Sequence, residues 1–309
     1  MISIFEDTIL YSVDITSLYT SITHDLGIEA IKYWIRKHRD LIPTRFTDDF
    51  IINSLLFVLK NNNFQFNEVY YRQTEGTAMG TNVAPPYAIL VIAYLEEYIL
   101  FRKVLPKAFS YEQCIYIENN YKRYMDDGFI PLLKSIKIET FLECLNSLHP
   151  MIKFTEEKSR YQIIDNTNVQ ILNFLDITVI LTENNEVHTD IFYKATNAHD
   201  YLNFHSNHPD HVKLNIPYNL AKRIICFVSQ PPQMEYRLKE LKEFLLNCDY
   251  PLKVIEKGIF NAKLQGPAPR PTDEKNTLPL ITTNHTNLDF KNLVSRTKNK
   301  VPSRQCFRS

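Results

Sequence analysis

The chain is 309 residues long, 44% hydrophobic and 12% aromatic, and its 35 Lys and Arg balance its 35 Asp and Glu. That length suggests about two domains or lobes, and the apolar content is ample for a core and excludes a disordered chain. Five cysteines, at 114, 144, 226, 248 and 306, are scattered and never spaced as CxxC, which excludes a disulfide framework and a zinc ribbon and fits a reducing compartment.

Glu6 and Asp7 interrupt the start where a basic and then apolar signal segment would lie. The longest apolar stretch, 83–95, is too short to cross a bilayer and runs into Glu96 and Glu97. The expectation is an intracellular chain, nuclear or cytoplasmic, not secreted and with no membrane partner. A neutral balance does not advertise nucleic-acid binding. The sign is uneven, however: from Lys291 to the end there are six Lys or Arg and no acid.

In chain order, "TILYSVDI" (8–15) alternates Ile9, Tyr11 and Val13 and predicts a strand leading to Asp14. Thr23 is placed to cap a helix through about His38, with Leu26, Ala30, Ile31, Trp34 and Ile35 on one face. Thr47 caps a second helix, with Asp48 and Asp49 where the dipole favours them and Phe50, Ile51, Leu55, Val58 and Leu59 as its apolar stripe. "FQFNEVYYR" (64–72) predicts a hairpin turning at Asn67 and Glu68. The loop "TEGTAMGTN" (74–82) precedes a long helix opened by Pro85 and Pro86.

Residues 113–133 predict an apolar strand, a turn at Asp126-Asp127-Gly128 and a return strand, since Asp-Gly between apolar runs is a strong hairpin signal. A helix near 137–148 and a strand at 173–181 follow, the latter pairing with 186–194 across Glu183-Asn184-Asn185. Beyond about residue 200 the pattern is helical, notably at 216–230 and 234–248, and at 264–279 it shifts to the proline and polar residues of a linker. The order predicts α+β with an antiparallel sheet, not a run of βαβ units.

Asp126 and Asp127 set two like charges side by side within an apolar pattern. Such neighbours resist ionising together, and a buried charge without a partner is costly. An exposed turn would remove the problem; so would a cation. Asp14 ends another predicted strand, and if the two strands are neighbours all three carboxylates meet at one rim of the sheet. Oxygen ligands select Mg²⁺ or Mn²⁺, and two such ions stabilise the attacking and leaving oxygens of an in-line phosphoryl transfer.

"YSVDITSLYTSI" (11–22), "GTAMGTNVAPPYA" (76–88), "RYMDDGF" (123–129), "FLDITV" (174–179), "YKAT" (193–196) and "SNHP" (206–209) occur in the order and rough spacing of reverse transcriptase motifs. From about residue 8 to 230 the chain resembles the reverse transcriptases of Penelope-like retroelements. The resemblance implies a right-hand polymerase palm, an antiparallel sheet packed on helices, followed by a helical thumb lobe. It divides the chain into a palm with partial fingers at 1–183, a thumb-like region at 184–263, and a linker with a basic connector at 264–309. The implied partners are an RNA template, a DNA primer and dNTPs, and the implied cofactor is Mg²⁺ or Mn²⁺.

By the same resemblance Asp14, Asp126 and Asp127 are the catalytic metal ligands. Tyr19 crowds a ribose 2′-OH, and Gly76, Met79 and Gly80 form the loop that lets template and nucleotide approach the backbone. Phe174, Leu175 and Asp176 grip the primer terminus, and Arg223, with His208, Lys213 and Lys222, contacts phosphates in the thumb. Gln73 corresponds loosely to a polar position before the glycine loop. Lys158 is either the acid that protonates departing pyrophosphate or a solvated lysine. His199, His205, His208 and His211 crowd one segment; their spacing suggests zinc, but no cysteine accompanies them. The fingers segment that normally precedes Asp14 and the GIY-YIG endonuclease that normally follows the connector are not in the pattern. The expectation is therefore a truncated copy, active or reduced to a nucleic-acid-binding remnant.

Overall fold

A computed structural model describes residues 7–164 and 166–266; the connector expected at 264–309 lies outside the described residues from 267 onward. The fold is α+β, with antiparallel sheets packed on helices. The described residues form two compact units, one running to Tyr201 and including Phe227–Phe244, the other Leu202–Cys226 with the residues from Leu245 on. Residues 183 and 184 lie in the first unit, in the turn between two strands that pair antiparallel.

In the first unit β1 (Thr8–Ile15) is the strand expected at 8–15. The helices α1 (Leu18–Ser21), α2 (His24–Lys37) and α3 (Asp48–Lys60) follow. Thr23 and Thr47 cap α2 and α3 as expected, accepting from the Leu26 and Phe50 N–H groups. The hairpin of β2 (Asn63–Phe66) and β3 (Val69–Arg72) turns at Asn67 and Glu68, both left-handed, as a two-residue primed turn requires. α4 (Ala84–Tyr94) opens on the two prolines, continues as a π-helical stretch over Leu95–Val104 and ends in α5 (Leu105–Ala108).

Residues 111–120 are a helix and not the strand expected from their apolar content. Ser110 and Gln113 form a capping box that opens α6 (Tyr111–Asn120), of which only Ile117 is buried. A two-residue exchange of side chain and backbone outweighs the strand preference of Ile and Tyr. Then come β4 (Lys122–Tyr124), β5 (Asp127–Leu133), α7 (Ile138–Asn146) and β6 (Phe154–Lys158). These close a four-stranded antiparallel sheet in the order β4-β5-β1-β6.

The second four-stranded sheet runs β10-β9-β8-β7, from β7 (Arg160–Ile164), β8 (Thr167–Phe174), β9 (Ile177–Thr182) and β10 (Val187–Ile191). The single strand expected at 173–181 is therefore a hairpin turning at Leu175 and Asp176. β1 is covered on both faces. Tyr11, Val13 and Ile15 enter the main core with Ala30, Ile31, Val91, Ile92 and Phe141, while Leu10 packs with Leu172, Val179 and Leu181 of the second sheet. Buried Gln170 pins the two layers, accepting from the Leu10 N–H and Ser159 hydroxyl and donating to the Thr8 carbonyl at 2.9 Å.

Gly27 shows why this packing is exacting. A Cβ there would lie 1.5 Å from the buried Tyr87 hydroxyl. Helix propensity alone favours Gly27→Ala by about 1 kcal/mol, yet overpacking costs about 1–3 kcal/mol or more. Gly27→Ala is expected to lower the urea midpoint; a raised midpoint would mean that Tyr87 can move aside.

The apolar stripe of α3 is covered less than expected: only Leu59 is buried, and Phe50 and Phe57 are exposed. In the helical part of the chain, α8 (Asp210–Phe227) and α9 (Pro231–Asn247) start earlier than read from the sequence, and α10 (Leu252–Gln265) follows before the linker. Gly258 of α10 meets the Pro217 and Tyr218 backbone so closely that a Cβ would lie 2.7 Å from Pro217. No described helix is long and apolar enough to cross a membrane.

Candidate active site

β1 carries Asp14, and the β4–β5 hairpin carries Asp126 and Asp127. Across β1 and β5, Asp14 stands directly opposite Asp127. The Ile15 N–H donates to the Asp126 carbonyl at 3.0 Å, stitching the hairpin turn to the residue after Asp14. Because side chains alternate along a strand, Asp14 points away from the core that takes Val13 and Ile15. It is exposed, whereas Asp126 and Asp127 are half-buried.

Tyr124 pairs with Asp127, so the turn is Met125-Asp126 and not Asp126-Asp127-Gly128. Gly128 lies within β5 and serves a different need. The Tyr121 ring covers its Cα, and a Cβ there would approach that ring to 2.9 Å. Met125 takes the left-handed conformation at φ 57° in place of a glycine.

The three carboxylates feel one another. Burial and then the Asp126 charge raise the Asp14 carboxyl above its ordinary range. Burial, then Asp126, then Asp14 raise Asp127, and Lys194 partly offsets them. Among the described residues no three His, Cys, Asp or Glu side chains are gathered closely enough to form a ready-made metal cage. The donor set nevertheless fits Mg²⁺ or Mn²⁺, because Mg²⁺ is usually held by one or two carboxylates with substrate phosphates and water. A cation would also relieve the repulsion.

Tyr19 and the glycine loop reach the same end of β1. Tyr19 stands in α1, which follows β1 after two residues of loop, and burial and then the Asp126 charge raise its hydroxyl. The Thr77 N–H donates to the Tyr19 carbonyl at 2.7 Å. Gly76, at φ +77°, lies so close to α1 that a Cβ would come 3.0 Å from the Thr20 Cα. Buried His24 donates from Nε2 to the Gly76 carbonyl at 3.1 Å and braces the loop from below. Gln73 donates to the Glu75 carbonyl at 2.8 Å. Gly80, at φ +97°, has open space where a Cβ would stand, and Met79 is exposed.

The Phe174-Leu175-Asp176 turn belongs to the second sheet. The Phe174 ring lies 5.4 Å from the Phe129 ring, centroid to centroid, two residues along β5 from Asp127. Leu175 is left-handed at φ 53°. Ser17, Met125 and Leu175 thus put non-glycine residues into a costly conformation at the exit of β1, the aspartate turn and this turn. Strain of that kind concentrates at functional sites.

Other expected residues are placed elsewhere. Lys158 pairs with Tyr11, while the β6 partner of Asp14 is Thr155. Three residues of strand, about 10 Å, separate the lysine from the acids, which favours the solvated-lysine reading. Arg223 lies on α8 in the second unit, where Lys213 donates to the Ser206 carbonyl and Lys222 to the Gly266 carbonyl. The histidines do not assemble: His199 stacks on Phe244 at 3.8 Å in the first unit, and His208 meets the Ser206 hydroxyl in the second.

Four residues of this region are not singled out by the sequence: His24, Lys194, Arg123 and Glu96. Lys194 sits in the "YKAT" segment and Arg123 three residues before Asp126, so both had a local signal. His24 and Glu96 had none.

No curated protein matches the chain. The family model described as "Animal helix-turn-helix domain" matches residues 200–260. Among solved structures the chain is similar to apo telomerase from Candida Tropicalis truncated from its C-terminal domain, at 12% identity and TM-score 0.39, over 59% of this chain and 36% of that one. It is also similar to telomerase from Candida Tropicalis in complex with the TWJ fragment of telomeric RNA, at 11% identity and TM-score 0.40, over 84% and 39%. The chain thus spans less than two fifths of the length of either telomerase chain. The likeness is one of outline, and the chemistry of the site does not rest on it.

Proposed function

We propose that the chain is an RNA-directed DNA polymerase, the reverse transcriptase of a Penelope-like retroelement, with the first unit as its palm. The observation that carries this reading is the pairing of Asp14 with Asp127, with Asp126 stitched to Ile15 at the same rim. When bound, two Mg²⁺ or Mn²⁺ ions supply activation of the primer 3′-OH and neutralisation of the pyrophosphate leaving group. Asp14, Asp126 and Asp127 would hold those cations. Tyr19, in α1, occupies the space a ribose 2′-OH would need. Gly76 brings the loop onto Tyr19, and Gly80 with Met79 presents open backbone and an apolar side chain to nucleotide and template. The Phe174-Leu175-Asp176 turn supports the primer end, and Arg223 is the phosphate contact assigned to the second unit by itself.

The second reading is a remnant that keeps the fold and binds nucleic acid without polymerising; the helix-turn-helix match over 200–260 is compatible with both. Primer extension on an RNA template with dNTPs separates the two. Extension that needs Mg²⁺ or Mn²⁺ is expected. Duplex binding without any extension, with either cation, would leave the second reading standing. Tyr19→Ala is expected to raise ribonucleotide use relative to deoxynucleotide by about 10–100-fold, the range of a small steric contact. An unchanged ratio of kcat/KM values would remove Tyr19 from sugar selection.

A further inference from the structure

We infer that Arg123 and Glu96 are a positioning pair that holds the Met125-Asp126 turn, and with it the Asp126 carboxylate, in the geometry a divalent cation needs. The inference rests on the reading of Asp126 as a cation ligand. All three guanidinium nitrogens are committed. Nε and Nη2 of Arg123 donate to the two carboxylate oxygens of Glu96 at 2.6 and 2.8 Å, and Nη1 donates to the Met125 carbonyl at 2.6 Å. The two side chains are only 8% and 12% exposed, so this fork-to-fork pair is largely shielded from water and geometrically rigid.

What the pair grips is the strained residue of the turn, left-handed Met125. The next carbonyl, that of Asp126, is gripped by the Ile15 N–H of β1. Two successive peptide groups are therefore pinned from two directions, one by a side chain and one by a strand. That leaves the Asp126 side chain little freedom beyond its own rotamer.

Glu96 stands in the π-helical stretch, a geometry that recurs at functional sites. There, adjacent Glu97 turns to a separate surface network with Tyr33, Lys37 and Arg102. Glu96 alone is delivered beneath the aspartate turn. The assignment makes a prediction opposite in sign to simple electrostatics. Charge alone says that removing the Arg123 cation should tighten cation binding at the acids; loss of positioning says that binding weakens.

The test uses the full chain as wild type, Asp126→Asn, Arg123→Lys, and the double variant Glu96→Leu with Arg123→Met. The double variant replaces the ion pair with apolar groups, an exchange that buried pairs often tolerate. Mn²⁺ binding is read by electron paramagnetic resonance, stability by thermal melting, and kcat and KM for dNTP by primer extension. The expected result is a cooperative melt within a few degrees of wild type and Mn²⁺ affinity reduced about tenfold, in the range of supporting-residue losses at metal sites. A kcat reduced about 100-fold, with KM changed less than about threefold, marks loss of an interaction made in the transition state.

Wild-type or tighter Mn²⁺ binding in the folded double variant would overturn the inference while leaving Asp126 as a ligand. Undiminished binding in Asp126→Asn would overturn the ligand reading itself and the inference with it. Should the double variant fail to fold, Arg123→Lys decides: it keeps the charge but cannot make the three-point grip. The same losses support the inference, and wild-type values overturn it.

Discussion

Asp126→Asn is expected to cut primer extension by at least about 10³-fold while the protein melts no lower than wild type. The activity loss follows from the number of things this residue touches. Its charge acts on Asp14, Asp127 and Tyr19, and its backbone carbonyl joins the turn to β1. Stabilisation of transition-state charge by a held cation is worth several kcal/mol, and about 4 kcal/mol corresponds to 10³ in rate. Extension within about tenfold of wild type would remove Asp126 from the chemistry.

The stability half of this prediction has a definite sign. The folded-state carboxyls of Asp14 and Asp127 are raised above their ordinary values. Groups raised in this way contribute stability that is present below the ordinary carboxylate pKa and lost as pH rises through the folded value. Without a cation at pH 7, wild type therefore holds mutually repelling carboxylates that Asp126→Asn relieves. In chelator, the variant's melting temperature should exceed that of wild type at pH 7. The gap should close as pH falls through the raised folded-state values of Asp14 and Asp127, because neutral carboxyls no longer repel the Asp126 charge. Added Mn²⁺ should raise the wild-type melting temperature and leave the variant nearly unmoved. A variant that melts lower at pH 7 would show that the acids are held by something other than a relievable repulsion, and that function has not been obtained here against stability.

Arg237→Ala is expected to destabilise the first unit by about 3–5 kcal/mol, the range for breaking a buried ion pair from one side. Asp190 on β10 is 9% exposed. Arg237 of α9 meets it with Nε at 3.0 Å and Nη2 at 2.7 Å, Gln233 adds a donor at 2.8 Å, and the Ile191 N–H another at 2.8 Å. Removing the arginine leaves a carboxylate that is largely withdrawn from water and has lost its counter-charge. For a unit of this size the melting temperature should fall by roughly 10 °C.

Lys37 and Glu97 provide the internal control. Their side chains are 35% and 31% exposed, and Lys37→Ala should cost less than about 1 kcal/mol. Equal losses from the two substitutions would mean that the β10 pin is no stronger than a surface pair. Replacing both partners, as Asp190→Leu with Arg237→Met, should recover most of the loss, since no buried charge then remains. The turn at Leu175-Asp176 opens β9, the neighbour of β10. Loosening β10 therefore bears on the segment assigned to the primer end.

Much of this protein is decided within short windows of its sequence. The alternation of Ile9, Tyr11 and Val13 makes β1 and ends it at Asp14. Thr23 and Thr47 start their helices because a hydroxyl satisfies an orphan N–H two or three residues on. Asn67 and Glu68 turn their hairpin, and Pro85 with Pro86 opens α4. The acids, Tyr19, and the glycines of the 76–80 loop were legible by residue type and order.

The helix at 111–120 also follows from a short window, the Ser110–Gln113 capping box, although its apolar content reads as strand. Other features depend on packing. The turn at Met125-Asp126 is shifted by the Tyr121 ring that occupies the place of a side chain at Gly128. Arg123 reaches Glu96 across 27 residues, and His24 reaches the Gly76 carbonyl across 52. Propensity and periodicity act over a few residues, whereas these contacts exist only once helices and sheet have packed. The sequence therefore determined which acids stand at the rim of the sheet, and the tertiary structure alone decided what holds them there.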